Sequence, residues 1–330
     1  MNDSGTAGPR TLLVAATGGH LEQLFRIRQR FSPASGETRW VTFDDPQSRS
    51  LLKDEDVRHV PYVPPRGYRE AAGAFPTAFK ILREGRFDRL VSTGAGVALP
   101  FFVAARALGV PSHYIESAAR ADGPSLTGKM VSRIPGVHLY SQYAAWAGGR
   151  WSYRGSLFDS FAAEETPPVP IRKVVVTLGT MRSYGFNRLV DRLVEVLPEV
   201  LEPDAEVLWQ LGATALDEAA LAARFRGTVA SSYPNSELRA AIAGADLVVA
   251  HSGIGSAITA LELGKRPVLV PRRVVFDEHV DEHQALIARE LGGRDLAVSR
   301  EADALTAEDL RRAAAGRVHT SDALSAFALD

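Results

Sequence analysis

The sequence predicts an α/β protein built from two doubly wound domains, each a parallel sheet flanked by helices. Three observations predict it. Short apolar runs alternate with helix-like stretches along the chain, the pattern of parallel strands joined by crossover helices. Both halves open on the same device, a strand running into a glycine turn: Thr11 to Ala16 into Thr17, Gly18, Gly19 and His20, and Lys173 to Thr177 into Leu178 and Gly179. The length, 330 residues, is also more than a single hydrophobic core ordinarily organises. Such sheets hold ligands beyond the carboxyl ends of their strands, so the turns that follow strands are where functional residues are expected.

In the first half, a helix-like stretch beginning LEQLFRIRQRF follows His20. Arg39 to Phe43 and His59 to Val63 read as strands, Pro64, Pro65 and Gly67 as a loop, and Ala74 to Glu84 as a helix. Arg89 to Ser92 is a strand entering the turn Thr93, Gly94, Ala95, Gly96, with a helix from Val97 to Leu108. His113 to Ile115 is a strand that ends in the polar loop Glu116 to Thr127. Residues 160–172, with three prolines and two adjacent acids, read as a linker, which puts the domains at 1–160 and 161–330. In the second half Phe186 to Leu197 reads as a helix, and Ala205 to Leu211 and Thr228 to Ser231 as strands. Leu247 to Ala250 and Val268 to Val270 are strands, and Asp281 to Leu291 a helix.

Composition is that of an ordinary globular protein, 45% hydrophobic and 23% charged. A net charge of -1 gives no electrostatic reason to expect nucleic acid as a partner. The charge is uneven: residues 1–165 carry 20 Lys+Arg against 16 Asp+Glu, the remainder 18 against 23. A mildly basic first half is compatible with an anionic membrane surface, although most such charges simply solvate a face. With no cysteine there are no disulfides, thiol nucleophiles or Cys–zinc sites, which fits a reducing, cytoplasmic compartment. The first ten residues, MNDSGTAGPR, lack an apolar signal core. No run reaches the roughly 20 apolar residues of a spanning helix, so membrane contact is expected to be peripheral, at the inner face of the plasma membrane.

The stretch ADLVVAHSGIGSAITALELGKRPVLVP, Ala245 to Pro271, is the most informative. It reads strand, glycine turn, helix, strand, with His251, Ser252, Gly253, Gly255 and Ser256 in the turn. A helix start has unpaired N–H groups and a positive dipole end, so the turn suits a phosphate. Gly179 and Thr180 follow the neighbouring strand and offer further N–H and hydroxyl groups, and Tyr233, ahead of another helix, suits stacking on a base. Asp281, Glu282, His283 and Gln284 follow Pro271; their spacing matches no metal motif, so neither metal nor cofactor is expected. They suit sugar hydroxyls, or equally an acid-capped helix start.

In the first half, Gly18 and Gly19 allow close backbone approach, and His20 is a candidate general base near neutral pH. A tight turn bearing a solvated histidine fits the same spacing. The third glycine of a dinucleotide fingerprint is missing. Thr93 and Gly94 form a second phosphate-sized turn, or a plain helix cap. Arg120 and Lys129 are candidate phosphate partners, or solvated loop charges, and Glu116 is placed to act as a base or to orient one.

Together these motifs resemble the nucleotide-sugar glycosyltransferases of the GT-B fold. They look most like the family of the peptidoglycan lipid-II N-acetylglucosaminyltransferase and of the two-subunit N-acetylglucosaminyltransferase of the dolichol pathway. TGGH at Thr17–His20, STGAG at Ser92–Gly96 and YIES…R…SLTGK from Tyr114 to Lys129 are similar to the acceptor-side, membrane-recruiting subunit. TLGT at Thr177, HSGIGS…ALELGKRPVLVPR from His251 and DEHQ at Asp281–Gln284 are similar to the donor-side subunit. Exopolysaccharide enzymes share the pattern. The resemblance implies two Rossmann-like domains facing across a cleft, the first acceptor-binding and membrane-facing, the second donor-binding, with the last helix packing back on the first. It implies an inverting, metal-independent transfer from a UDP-sugar to a hydroxyl, of a polyprenyl-diphosphate-linked sugar or a small-molecule sugar acceptor, in polysaccharide or glycolipid synthesis. Residues Ser252–Ser256 would hold the diphosphate and His283 and Gln284 the donor sugar. Members carry a ribose-binding Glu five residues before the helix-ending Gly; counting back from Gly264 gives Thr259, and Glu262 lies almost one turn on. The alternatives are a UDP-sugar 2-epimerase of the same architecture and a non-catalytic recruiting subunit.

Overall fold

A computed structural model describes residues 8–64, 67–179, 184–321 and 325–330. The chain divides into two compact units, residues 1–159 with 323–330, and residues 160–322. The first unit runs β1 (Thr11–Ala15), α1 (Gly19–Ile27), β2 (Phe31–Ser32), β3 (Thr38–Phe43), α2 (Pro46–Leu51), β4 (Val57–Val60), α3 (Tyr68–Gly73), α4 (Phe75–Gly85), β5 (Arg89–Gly94), α5 (Ala98–Leu108), β6 (Ser112–Ile115), α6 (Leu126–Val131), β7 (Val137–Ser141) and β8 (Trp151–Tyr153). Seven strands form one sheet in the order β4-β3-β1-β5-β6-β7-β8, every pair parallel. All five residues of β1 are buried, because helices cover both faces of a parallel sheet, and this is why the strand reads as a continuous apolar run.

The second unit runs β9 (Phe161–Glu165), β10 (Ile171–Thr177), α7 (Asn187–Val196), β11 (Leu201–Gln210), α8 (Glu218–Arg224), β12 (Arg226–Ala230), α9 (Asn235–Gly244), β13 (Leu247–His251), α10 (Ile254–Glu262), β14 (Val268–Val270), α11 (His283–Gly293), β15 (Val298–Ser299), α12 (Ala307–Ala314) and β16 (Gly316–Thr320). Its six-stranded sheet has the order β12-β11-β10-β13-β14-β15, again parallel throughout. Helix α7 buries Leu189, Val190, Leu193 and Val196, a single stripe at helical spacing. Each such side chain stabilises the unit by about 1.5–3 kcal/mol when fully buried. In both sheets the connections place the glycine turns after β1, β5, β10 and β13, at the carboxyl ends of central strands.

Three sequence expectations are corrected. Residues 160–172 are not a linker throughout: Phe161–Glu165 is a strand, antiparallel to Gly316–Thr320, and the prolines follow it. Strand β4 lies at Val57–Val60 rather than His59 to Val63; Pro61 has no N–H to continue the ladder. Helix α11 starts at His283, not Asp281, because the Asp281 carboxylate stands outside it and accepts from the His283 N–H at 3.2 Å. Leu310, Ala313 and Ala314 of α12 lie in the second unit's own core. The segment belonging to the first unit is the terminal strand β17 (Phe327–Ala328), parallel to β2, whose Phe327 is buried beside Phe31 and Tyr140.

Candidate functional site

The turn after β1 hands directly to α1. Gly18 sits at φ +89°, a conformation that costs a side-chain-bearing residue about 1–2 kcal/mol. Its N–H donates to Gln47 Oε1 at 2.5 Å and its carbonyl accepts from Gln47 Nε2 at 3.3 Å. Gly19 opens the helix and His20 follows, half-buried. The His20 Nδ1 lies 2.7 Å from the Thr93 carbonyl oxygen, and Thr93 Oγ1 donates to the His20 carbonyl at 2.7 Å. A carbonyl only accepts, so Nδ1 carries the proton and the Nε2 lone pair of the neutral ring is left available. Burial pushes the imidazole pKa down, opposed by the Thr93 hydrogen bond. A neutral ring with a defined tautomer is what a general base at pH 7 requires. His20 and Thr17 line a cavity of about 510 Å³ whose other walls include Phe43, Tyr62, Leu99, Ser125, Leu126 and Met130; Tyr62 and Leu126 are exposed.

Gly94, at φ +106°, gives way to Tyr114: a Cβ there would come within 2.8 Å of the phenolic oxygen. Glu116 is fully buried. Its Oε1 accepts from the Ser117 N–H at 3.0 Å and Tyr114 Oη at 3.3 Å, and its Oε2 from the N–H and hydroxyl of Ser125 at 2.9 and 3.1 Å. Burial raises its pKa and these donors oppose the rise. Both oxygens are thus engaged in fixing the loop that ends in Ser125, the N-cap of α6, and Glu116 orients the cavity wall. Gly128 is part of this arrangement, since a Cβ would collide with Glu116 Oε2. Arg120 is held within its own loop, bonded to the Gly123 carbonyl at 3.4 Å and 3.5 Å from Asp122. Lys129 is exposed on α6.

Two buried glutamines escaped the sequence reading. Gln23, three residues after His20 on α1, accepts from the Ala118 N–H at 2.8 Å and donates to Ser117 Oγ at 3.1 Å. Gln142 donates to the Glu116 carbonyl at 2.8 Å and accepts from the Leu157 N–H at 2.8 Å. The available signal was a polar residue on the apolar face of LEQLF, which must find partners once buried.

In the second unit Gly179, at φ +76°, follows β10, and His251 ends β13. The His251 ring lies against both glycine turns. A Cβ at Gly179 would reach 2.6 Å from its Cε1, and one at Gly253 would collide with Nε2. His251 Nδ1 is 3.3 Å from the Thr177 carbonyl. Burial, reinforced by the Arg272 charge, pushes its pKa down to about 4. The glycines at 179 and 253 therefore make room for an imidazole. Gly255 is different: it is exposed, and a Cβ there meets nothing within 4 Å. Helix α10 starts at Ile254 with no side chain capping it among the described residues. The Ser252 Oγ beside it is buried with no hydrogen-bond partner among them.

The remaining sequence candidates are accounted for individually. Ser256 and Thr259 lie on α10, half-buried. Glu262 is 3.0 Å from Arg239 Nη1 on α9, its side chain 6% exposed. Tyr233 donates to Thr228 Oγ1 at 2.9 Å. His283 opens α11 within 3.7 Å of Asp281 Oδ2. The buried Gln284 accepts the Arg272 N–H at 3.1 Å. Thr180 lies outside the described residues. No cluster of three or more metal-ligating side chains occurs among the described residues.

Two parallel sheets of this order, each with glycine turns at the carboxyl ends of central strands, give the chain the GT-B fold, and its relatives make it a glycosyltransferase. Residues 173–316 match the glycosyltransferase family 28 C-terminal domain. The chain is related to the lipid-II N-acetylglucosaminyltransferases. It is 27% identical over 309 residues to the UDP-N-acetylglucosamine–N-acetylmuramyl-(pentapeptide) pyrophosphoryl-undecaprenol N-acetylglucosamine transferase of Xanthomonas euvesicatoria pv. vesicatoria, covering 88% of this chain and 69% of that one. The enzyme of the same name from Trichodesmium erythraeum is 24% identical, covering 98% and 88%. Among solved structures, Acinetobacter baumannii MurG superposes with a TM-score of 0.55 at 19% identity, covering 92% of this chain and 89% of that one. The glycotransferase of kitacinnamycin gives 0.56 at 17%, covering 93% and 89%.

Proposed function

We propose that this protein transfers a sugar, with inversion and without a metal, from a UDP-sugar to a hydroxyl of a lipid-linked sugar acceptor. The observation that carries this reading is the Ser252–Ser256 turn. It presents an uncapped helix start and a buried, unpartnered hydroxyl, with an open approach at Gly255, a set of donors suited to an anion. In the reaction His20 Nε2 takes the proton of the acceptor hydroxyl as its oxygen bonds to the anomeric carbon. The bond from that carbon to the UDP oxygen breaks, and the charge left on UDP is stabilised at the start of α10. Thr259 meets the ribose, since Glu262 is paired with Arg239, and His283 meets the donor sugar.

The names of the relatives support a UDP-sugar donor and a polyprenyl-diphosphate acceptor. No helix among the described residues is long and apolar enough to cross a membrane; the relatives' polyprenyl-linked acceptor supports a peripheral encounter with the inner face of the membrane. The test is UDP release from a panel of UDP-sugars, with a polyprenyl-diphosphate sugar and with soluble sugar acceptors. Turnover with one donor and the lipid acceptor is expected. An absence of turnover together with an absence of UDP binding by calorimetry overturns the reading.

A further inference from the structure

Arg272 is 1% exposed and follows β14 and Pro271. Its Nη2 donates to the Leu178 carbonyl at 2.7 Å, in the turn after β10. Its backbone N–H is held by Gln284, and its guanidinium lies 5.6 Å from the Phe186 ring centroid. Its Nε is buried with no partner among the described residues. The acid nearest in charge, Glu278, is engaged elsewhere: its two oxygens pair with Arg188 at 3.1 and 2.9 Å, and one accepts the Arg273 N–H at 3.0 Å. Arg272 is therefore a buried cation without a carboxylate on it among the described residues.

Burying an uncompensated charge is costly. A fold retains one where something offsets the cost, and here that is the Leu178 carbonyl and the field of Glu278, itself already bonded to Arg188. The neighbouring His251 is kept neutral by burial and then by this charge. The helix start at Ile254 is positive, and Ser252 offers a hydroxyl. With no carboxylate bonded to Arg272 among the described residues, these groups suit an added anion.

We propose that Arg272 is the fixed counter-charge of the departing diphosphate, a positioning residue that acts through the Leu178–Gly179 and Ser252–Ser256 turns without touching the ligand. This rests on the donor-site reading above. A buried charge in low dielectric acts over several ångströms and is poorly screened by salt, so it supplies positive potential that a bound metal would otherwise provide. A guanidinium suits the task because it stays ionised when buried and holds the Leu178 carbonyl in a fixed plane.

The test separates charge from structure by using ligands of increasing charge. Uridine, UMP, UDP and inorganic pyrophosphate are titrated calorimetrically into the full chain and into Arg272→Gln and Arg272→Lys, with folding of each checked by circular dichroism and thermal melting. Gln keeps an N–H donor for Leu178 but no charge; Lys keeps the charge. Arg272→Gln is expected to weaken UDP and pyrophosphate about tenfold, UMP less, and uridine not at all, a loss of about 1.4 kcal/mol for UDP. Arg272→Lys is expected to retain most of the UDP affinity, and the losses to be the same at low and high salt. An equal loss for uridine and UDP, or UDP binding unchanged in Arg272→Gln, overturns the proposal. Failure of the wild type to bind either UDP or pyrophosphate overturns the donor-site reading itself, and the proposal with it. Pyrophosphate binding without UDP binding overturns only the nucleotide part of that reading and leaves the charge test intact.

Discussion

Gly255→Val tests the diphosphate assignment most directly, because the structure separates this glycine from its neighbour Gly253. A Cβ at Gly253 collides with the His251 ring, whereas one at Gly255 meets nothing within 4 Å. Gly255 is helical, without positive φ, so a side chain is tolerated there. The fold is expected to be unaffected: helix propensity changes by less than about 1 kcal/mol between Gly and Val. The ligand is not. If the diphosphate approaches the start of α10 over Gly255, a branched side chain displaces it from N–H groups whose charge-assisted bonds are worth about 1.5–3 kcal/mol each. The loss of one such bond corresponds to roughly 10- to 150-fold in UDP affinity. Gly253→Ala is the contrast. It forces the imidazole aside and is expected to cost about 1–3 kcal/mol of stability as well as affinity. The assays are calorimetric UDP titration and urea unfolding of both variants. UDP affinity within twofold of wild type in a normally stable Gly255→Val would refute the placement of the phosphate over this turn.

The other predictions concern the histidines and the Glu116 staple. His20→Ala is expected to lower turnover by about 10²- to 10⁴-fold while leaving the UDP dissociation constant unchanged; a large loss of UDP affinity contradicts the base assignment. The pH profile of kcat/KM has its own sign: burial lowers the His20 pKa and the neutral ring is active. Activity should therefore rise with pH below 6.5 and be flat above it, and a midpoint on the alkaline side of 6.5 refutes the assignment. His113, 3% exposed, is pushed down to about 3, chiefly by burial and then by the stacked His138. It is neutral when folded and takes up a proton only on unfolding below pH 6.5, so its contribution is complete above that pH and is lost as pH falls toward 3. Between pH 7.5 and 5 this amounts to about 2 kcal/mol, which a His113→Gln variant should abolish in urea unfolding at the two pH values. Gly128→Ala should disturb the Glu116–Ser125 bonds and raise the acceptor KM with UDP binding unaltered, measured by initial rates.

Much of this organisation was legible because parallel strands covered on both faces are continuous apolar runs. TLLVA at β1 and LVVA within β13 need no partner information to be read. Short or half-exposed strands are different. VHLYS at β7 sets an exposed histidine and polar side chains among its buried positions, and WSY at β8 is half-buried throughout, so neither stands out by composition. FAAEE is polar at its end and followed by prolines, and is a strand only because Gly316–Thr320, far along the chain, pairs with it. That pairing is a tertiary fact with no local signature. At the site, the residue types were legible and their orientations were not. Glu116 looks like a base in sequence, yet four donors surround its two oxygens. Glu262 looks like a ribose ligand, yet Arg239 holds it.

The glycines of the second unit show why a motif and its physical cause need separate treatment. In sequence, Gly179, Gly253 and Gly255 belong to one glycine-rich signature, and phosphate approach accounts for all three. In the structure two of them are explained without any ligand, because the His251 ring occupies the space where their side chains would be. That ring cannot enlarge its partners' contacts with an anion by ionising, since burial and then Arg272 keep it neutral. Its effect is geometric: tied to the Thr177 carbonyl, it fixes the spacing between the turn after β10 and the turn after β13. Gly255 alone of the three faces open space. On the proposed donor-site reading, phosphate approach is left to a single residue at the start of α10, and the other two glycines are explained by the packing of His251. Substitutions at the three positions should accordingly fall into two classes, those that lose stability and affinity together and one that loses affinity alone.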